Sequence, residues 1–93
     1  SEPEVTSISL WNFHQEMIAK AKEALEKTPS SLRDISALTV SVTKDQFDQI
    51  KDRVNQFRRE IHEIANQGKD KQAVYQLNLQ LFNLSEVPWA GED

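Results

Sequence analysis

At 93 residues, with 38% hydrophobic side chains, 2 glycines and 3 prolines, the chain has the size of one domain and no room for a second. It holds no cysteine, which excludes disulfides, thiolate metal sites, iron–sulfur ligation and cysteine nucleophiles and agrees with a reducing compartment. Its 11 basic and 15 acidic residues leave a net charge of −4, which argues against a domain that grips phosphate backbones by itself.

The apolar runs fall short of the roughly 18–20 residues of a membrane span, and nothing at the start has the pattern of a signal peptide, so a cytoplasmic location is expected. Residues 1–8 are acidic and polar without periodicity and are expected to form a flexible lead-in; residues 9–85 form the domain, and 86–93 an acidic tail. From about Ser9 to Lys27, Leu10, Met17, Ala21 and Ala24 fall at helical spacing, with Trp11, Ile18 and Leu25 as an adjacent stripe. This spacing predicts an amphipathic helix that Ser9 can cap and that Pro29, Ser30 and Ser31 stop.

The run Ile35–Thr43 alternates with period two and is rich in β-branched residues, which predicts a strand over Ser36–Val42. Thr43-Lys44-Asp45-Gln46 reads as a capping box that leads straight into a second helix. In that helix Phe47, Ile50, Val54, Phe57, Ile61 and Ile64 repeat at intervals of 3, 4, 3, 4 and 3, the seam of a helix packed lengthwise on another. Asn66-Gln67-Gly68 supplies its end, with Gly68 free to take the left-handed conformation. A second alternating run predicts a strand over Val74–Phe82, and the tail offers Val87 and Trp89 to the core.

A helix of some 22 residues, at about 1.5 Å per residue, is long enough to return the chain to the start of the first strand. The expected fold is therefore α/β: a two-layer α-β-α-β arrangement with two amphipathic helices on one face of a small sheet, its strands parallel through a helical crossover. The other face would carry Ser36, Thr39, Ser41, Gln76, Asn78 and Gln80, all polar and none charged. A freely solvated face usually carries lysine and glutamate, so these residues are the candidates for an interface or a ligand site.

Few residues suggest chemistry. His14 borders the apolar face of the first helix and His62 follows Ile61, but neither has zinc-site spacing, and a hydrogen-bonded structural histidine is the simpler reading. Asp45, Asp48 and Asp52 share neighbouring turns of one helix, which suggests a metal face, but first-turn acids complementing the helix dipole explain two of them more simply, and Arg53, Arg58 and Arg59 are interleaved with Asp52, Glu60 and Glu63 as on a solvated face. No catalytic residue, metal set or cofactor motif is signalled, so no enzyme is expected.

Several local runs together resemble a known family: Trp11-Asn12-Phe13-His14 with Met17; Arg33-Asp34-Ile35-Ser36 with Leu38 and Thr39; Phe57-Arg58; and Val74-Tyr75-Gln76-Leu77-Asn78 with Gln80-Leu81-Phe82. From Leu10 to Leu84 the chain is similar to the C-terminal domain of a bacterial family of proposed transcriptional regulators, in which a winged-helix DNA-binding segment precedes this domain. Asn83 stands where that family often has proline. The resemblance implies a regulatory or dimerisation module that acts through protein–protein contacts and has no established catalytic residues. Its expected partner is a second copy, as a homo-oligomer, or the N-terminal DNA-binding domain, with no direct binding of nucleic acid or membrane by this domain. The alternative is a small-molecule sensor, with Thr39, Ser41, Gln76, Asn78 and His14 lining a polar pocket.

Overall fold

The computed structural model describes residues 2–91. Ser1, in the expected lead-in, and Glu92 and Asp93, in the expected tail, lie outside the described residues, as do the side chains of Glu2 and Pro3. The elements in chain order are helix α1 (Glu2–Lys27), a 3₁₀ turn (Ser30–Leu32) and helix α2 (Lys44–Ala65). Two units result, each described by itself: one holds α1, the chain up to Leu38 and Gln76–Asn78, and the other holds Thr39–Tyr75, with α2, and the residues from Leu79 on.

The expected α/β fold is overturned, because the described residues contain helices and no strand, and the domain is all-α. Ser36–Val42 and Val74–Phe82 lie in stretches without helix, turn or bend, and neither is paired in a ladder. Alternation of apolar and polar residues states which side chains share a side; it does not supply a backbone partner, and a two-stranded sheet is marginal in water. The layer of helices on a sheet and the parallel crossover fall with it.

Helix α1 is longer than its apolar pattern. It includes residues 2–8 of the expected lead-in and leaves Ser9 inside rather than at its cap. Pro3 falls in the first turn, where its missing N–H has no intrahelical partner to lose, and the acidic Glu4 suits the positive end of the helix dipole. At the other end the Thr28 amide still donates to Ala24 O at 2.9 Å before Pro29 turns the chain, and Arg33 Nε donates to Thr28 O at 2.9 Å. The Lys27–Glu23 pair at 3.3 Å is solvent-exposed and adds little stability.

Helix α2 begins and ends as its sequence dictates. The Gln46 amide donates to Thr43 Oγ1 at 3.1 Å, and the Thr43 amide donates to Gln46 Oε1 at 3.0 Å, which completes the capping box. Asn66 is the C-cap, and Gly68 follows with φ 81°, a conformation that favours glycine. Lys71 Nζ donates to Ala65 O at 2.7 Å and also to Gln67 O, placing a cation on the free carbonyls at the negative end of the helix.

No described side chain is buried, so there is no core of the expected kind. On α1, Met17, Ala21 and Ala24 are half-covered, whereas Leu10, Trp11, Ile18 and Leu25 stay exposed. On α2, Phe47, Ile50, Val54 and Ile61 are half-covered, and Phe57 and Ile64 are exposed.

The capping box gives a direct test. Thr43→Ala should lower stability by about 1 kcal/mol and reduce far-UV helicity, while Thr43→Ser should keep most of both, as read from urea titrations followed by circular dichroism.

Candidate functional site

The second unit carries a groove of about 780 Å³ between residues 40–42 and one side of α2. Val40, Val42, Ile50, Val54 and Phe57 supply its apolar lining, and Gln49, Asp52 and Arg53 are among its polar residues. The side of α2 that lines it is part of the 3-4 seam. The periodicity that predicts a packed helix thus produces, within this unit, an open apolar channel.

Near the start of α2 the seam meets the chain terminus. The Phe47 and Trp89 rings lie 6.0 Å apart at 43°, and Lys51 Nζ sits 5.6 Å from the Phe47 ring centre, a cation–π distance. Val87 and Trp89 are half-covered, and Trp89 lies against Phe47 of α2, although no described side chain forms the core they were expected to join.

In the first unit the polar residues of the second alternating run are engaged with one another and with α1. Gln76 Nε2 donates to Asn78 Oδ1 at 3.1 Å, and Asn78 Nδ2 donates to the Met17 carbonyl at 2.9 Å. His14, one turn before Met17, is exposed and stacks edge-on to its neighbour Phe13 at 5.8 Å.

The candidate residues are therefore divided. His14, Ser36, Gln76 and Asn78 belong to the first unit, and Thr39, Ser41 and Gln80 to the second. Gln76 and Asn78 are brought together, and Ser41 alone of the seven lines the groove. Of the motif residues, Arg33 binds back to Thr28 O, Phe57 lines the groove and Arg58 Nη2 donates to Asn55 Oδ1 at 2.9 Å. Asp34, Val74, Tyr75 and Phe82 are exposed, with Val74 fully so. Lys71 is not marked by any of the sequence patterns, although a basic residue just beyond a helix-ending glycine is the available signal.

Among the described residues no group of three or more His, Cys, Asp or Glu could hold a metal ion, and no helix is long and apolar enough to cross a membrane. What the elements present is apolar surface: a groove beside α2, the outer stripe of α1 and the leucines of the last unbent stretch. They define a helical domain that displays its apolar faces. The chain belongs to the family described as Domain of unknown function (DUF4423), which matches residues 1–84. No curated protein and no solved structure matches it.

The ring pair and the C-terminal cation can each be measured. Trp89→Ala should cost about 0.5–1.5 kcal/mol beyond its lost buried area. Lys71→Ala should cost about 0.3–1 kcal/mol, and Lys71→Arg should recover most of that loss, in urea titrations at low salt.

Proposed function

We propose that the chain is a non-catalytic regulatory or dimerisation domain of a transcription regulator, working through protein–protein contacts. The observation that carries this reading is the absence of any buried side chain among the described residues, while helices and unbent stretches alike present large apolar side chains to solvent. Large apolar side chains left uncovered in both units are matched by association with another protein surface. The regulatory part of the proposal comes from the resemblance to domains that follow a winged-helix segment.

Contact with DNA is assigned to such a segment and not to this domain. The net charge is −4, and α2 sets Arg53, Arg58 and Arg59 among Asp52, Glu60 and Glu63, so few counterions would be released on a phosphate backbone. For a sensor, Ser41 is the one residue of the expected polar pocket that lines the groove.

Two measurements test the proposal. Sedimentation and thermal unfolding across a range of protein concentrations should give an associating species whose Tm rises with concentration. A chain that stays monomeric at every concentration, yet unfolds cooperatively with the seam amides of α2 protected from exchange, would overturn it. In a titration at physiological salt the 93-residue chain should show no micromolar binding to duplex DNA; salt-sensitive binding in that range would contradict the assigned division of labour.

A further inference from the structure

We infer that the segment Val74–Phe82 pairs antiparallel with the same segment of a second copy of this chain, in the register that sets Asn78 opposite Asn78 of its partner. The inference deepens the proposed contact function and rests on it. It is distinct from the parallel pairing of two segments within one chain, which the structure does not contain.

The sequence of the segment is self-complementary. Read outward from Asn78, the residues on either side are Leu77 and Leu79, Gln76 and Gln80, Tyr75 and Leu81, then Val74 and Phe82. A two-fold axis at Asn78 places each member of these pairs opposite the other on the same side of the paired chains, amide with amide and apolar with apolar. The residue on the axis must face its own copy, and an asparagine amide can do so because it both donates and accepts. Moving the axis to Leu79 would set Tyr75 against Asn83 and Phe82 against Gln76; moving it to Leu77 would set Val74 against Gln80 and Phe82 against Gln72. The composition thus selects one register.

The structure leaves the part of the segment from Gln76 to Phe82 open to this. It runs without helix, turn or bend, and from Gln76 to Phe82 no backbone group bonds to the backbone of another described residue. Asn78 is held on its polar side by the Met17 carbonyl, while Leu77, Leu79 and Leu81 remain 50%, 38% and 44% exposed. Unpaired backbone edges of this kind are templates for another chain.

Charge favours a second copy as the occupant. Each copy carries a net charge of −4, which opposes self-association in general, yet the stretch from Val74 to Ser85 carries no charged residue at all. An uncharged segment offers no attraction to a basic DNA-binding domain and no repulsion to its own likeness.

Because the chain has no cysteine, the register can be read by single-cysteine cross-linking of the full chain under diamide. Opposed residues in an antiparallel pair have Cα atoms about 4.5–5.5 Å apart, within disulfide range, whereas Val74 and Val74 of its partner would be displaced by about 27 Å along the chains. Asn78→Cys should cross-link to itself at least tenfold faster than Val74→Cys or Phe82→Cys alone. An equimolar mixture of Val74→Cys and Phe82→Cys chains should form the mixed disulfide at a rate comparable to that of Asn78→Cys, an arm that does not depend on the Asn78 contact with α1. A dimer whose cross-links show neither pattern would overturn this inference and leave the contact function standing. A cooperatively folded monomer at all concentrations would overturn both.

Discussion

Where backbone hydrogen bonds form among the described residues they are local, and that constraint decides which parts are finished and which are not. Helices of 26 and 22 residues bond internally, and the Thr43–Gln46 box and the Lys71 ammonium close the two ends of α2. Outside the helices the chain runs from Asp34 to Thr43 and from Asp70 to Asn83 without helix, turn or ladder. Isolated helices in water are marginal, and helices in proteins gain most of their stability by burying an apolar face. Local bonding therefore sets the conformation here, while the free energy that would hold it has to come from covering the faces it creates.

What the sequence made legible follows the same division. The capping box, the left-handed Gly68, the end of α1 near Lys27 and the attachment of Trp89 were all readable, because each depends on residues within a few positions or on one pair of rings. The half-covered line Met17, Ala21 and Ala24 was readable from helical spacing. The start of α1 was not, since polar residues carry no apolar period and yet can extend a helix already nucleated behind them. The strands failed for a different reason. Residues 36–42 and 74–82 have the composition of strands, but a strand is a relation between two backbones, and composition describes only one of them. Of the candidate site residues, Ser41 lines the groove and Gln76 bonds to Asn78, a grouping that alternation could not give because it assigns sides and not surroundings.

The distribution of charge separates surfaces meant for water from the rest. Helix α2 carries five basic and five acidic residues, and α1 has its own mixture, whereas Ile35–Thr43 and Val74–Leu84 carry none. Removing a charge from water costs far more than removing an amide or hydroxyl that finds a hydrogen bond. The uncharged stretches are thus the parts of the chain that can be covered at low cost, and the Asn78 bond to Met17 O is one such covering already made.

The amides between the leucines also limit what can cover them. A wholly apolar run would satisfy any apolar surface in any register, including endless copies of itself, which is the route to aggregation. In the alternating segment a slip of one residue carries Leu77, Leu79 and Leu81 to the side held by Gln76, Asn78 and Gln80, so a contact in the wrong register strands amides against hydrocarbon. On the helices no such penalty exists, since Ile50, Val54 and Ile61 accept any apolar neighbour of suitable shape. For the proposed contact function, specificity is therefore assigned to the unbent stretches and bulk affinity to the helices, with the asparagine and glutamines rather than the larger hydrophobic seam set to select a partner.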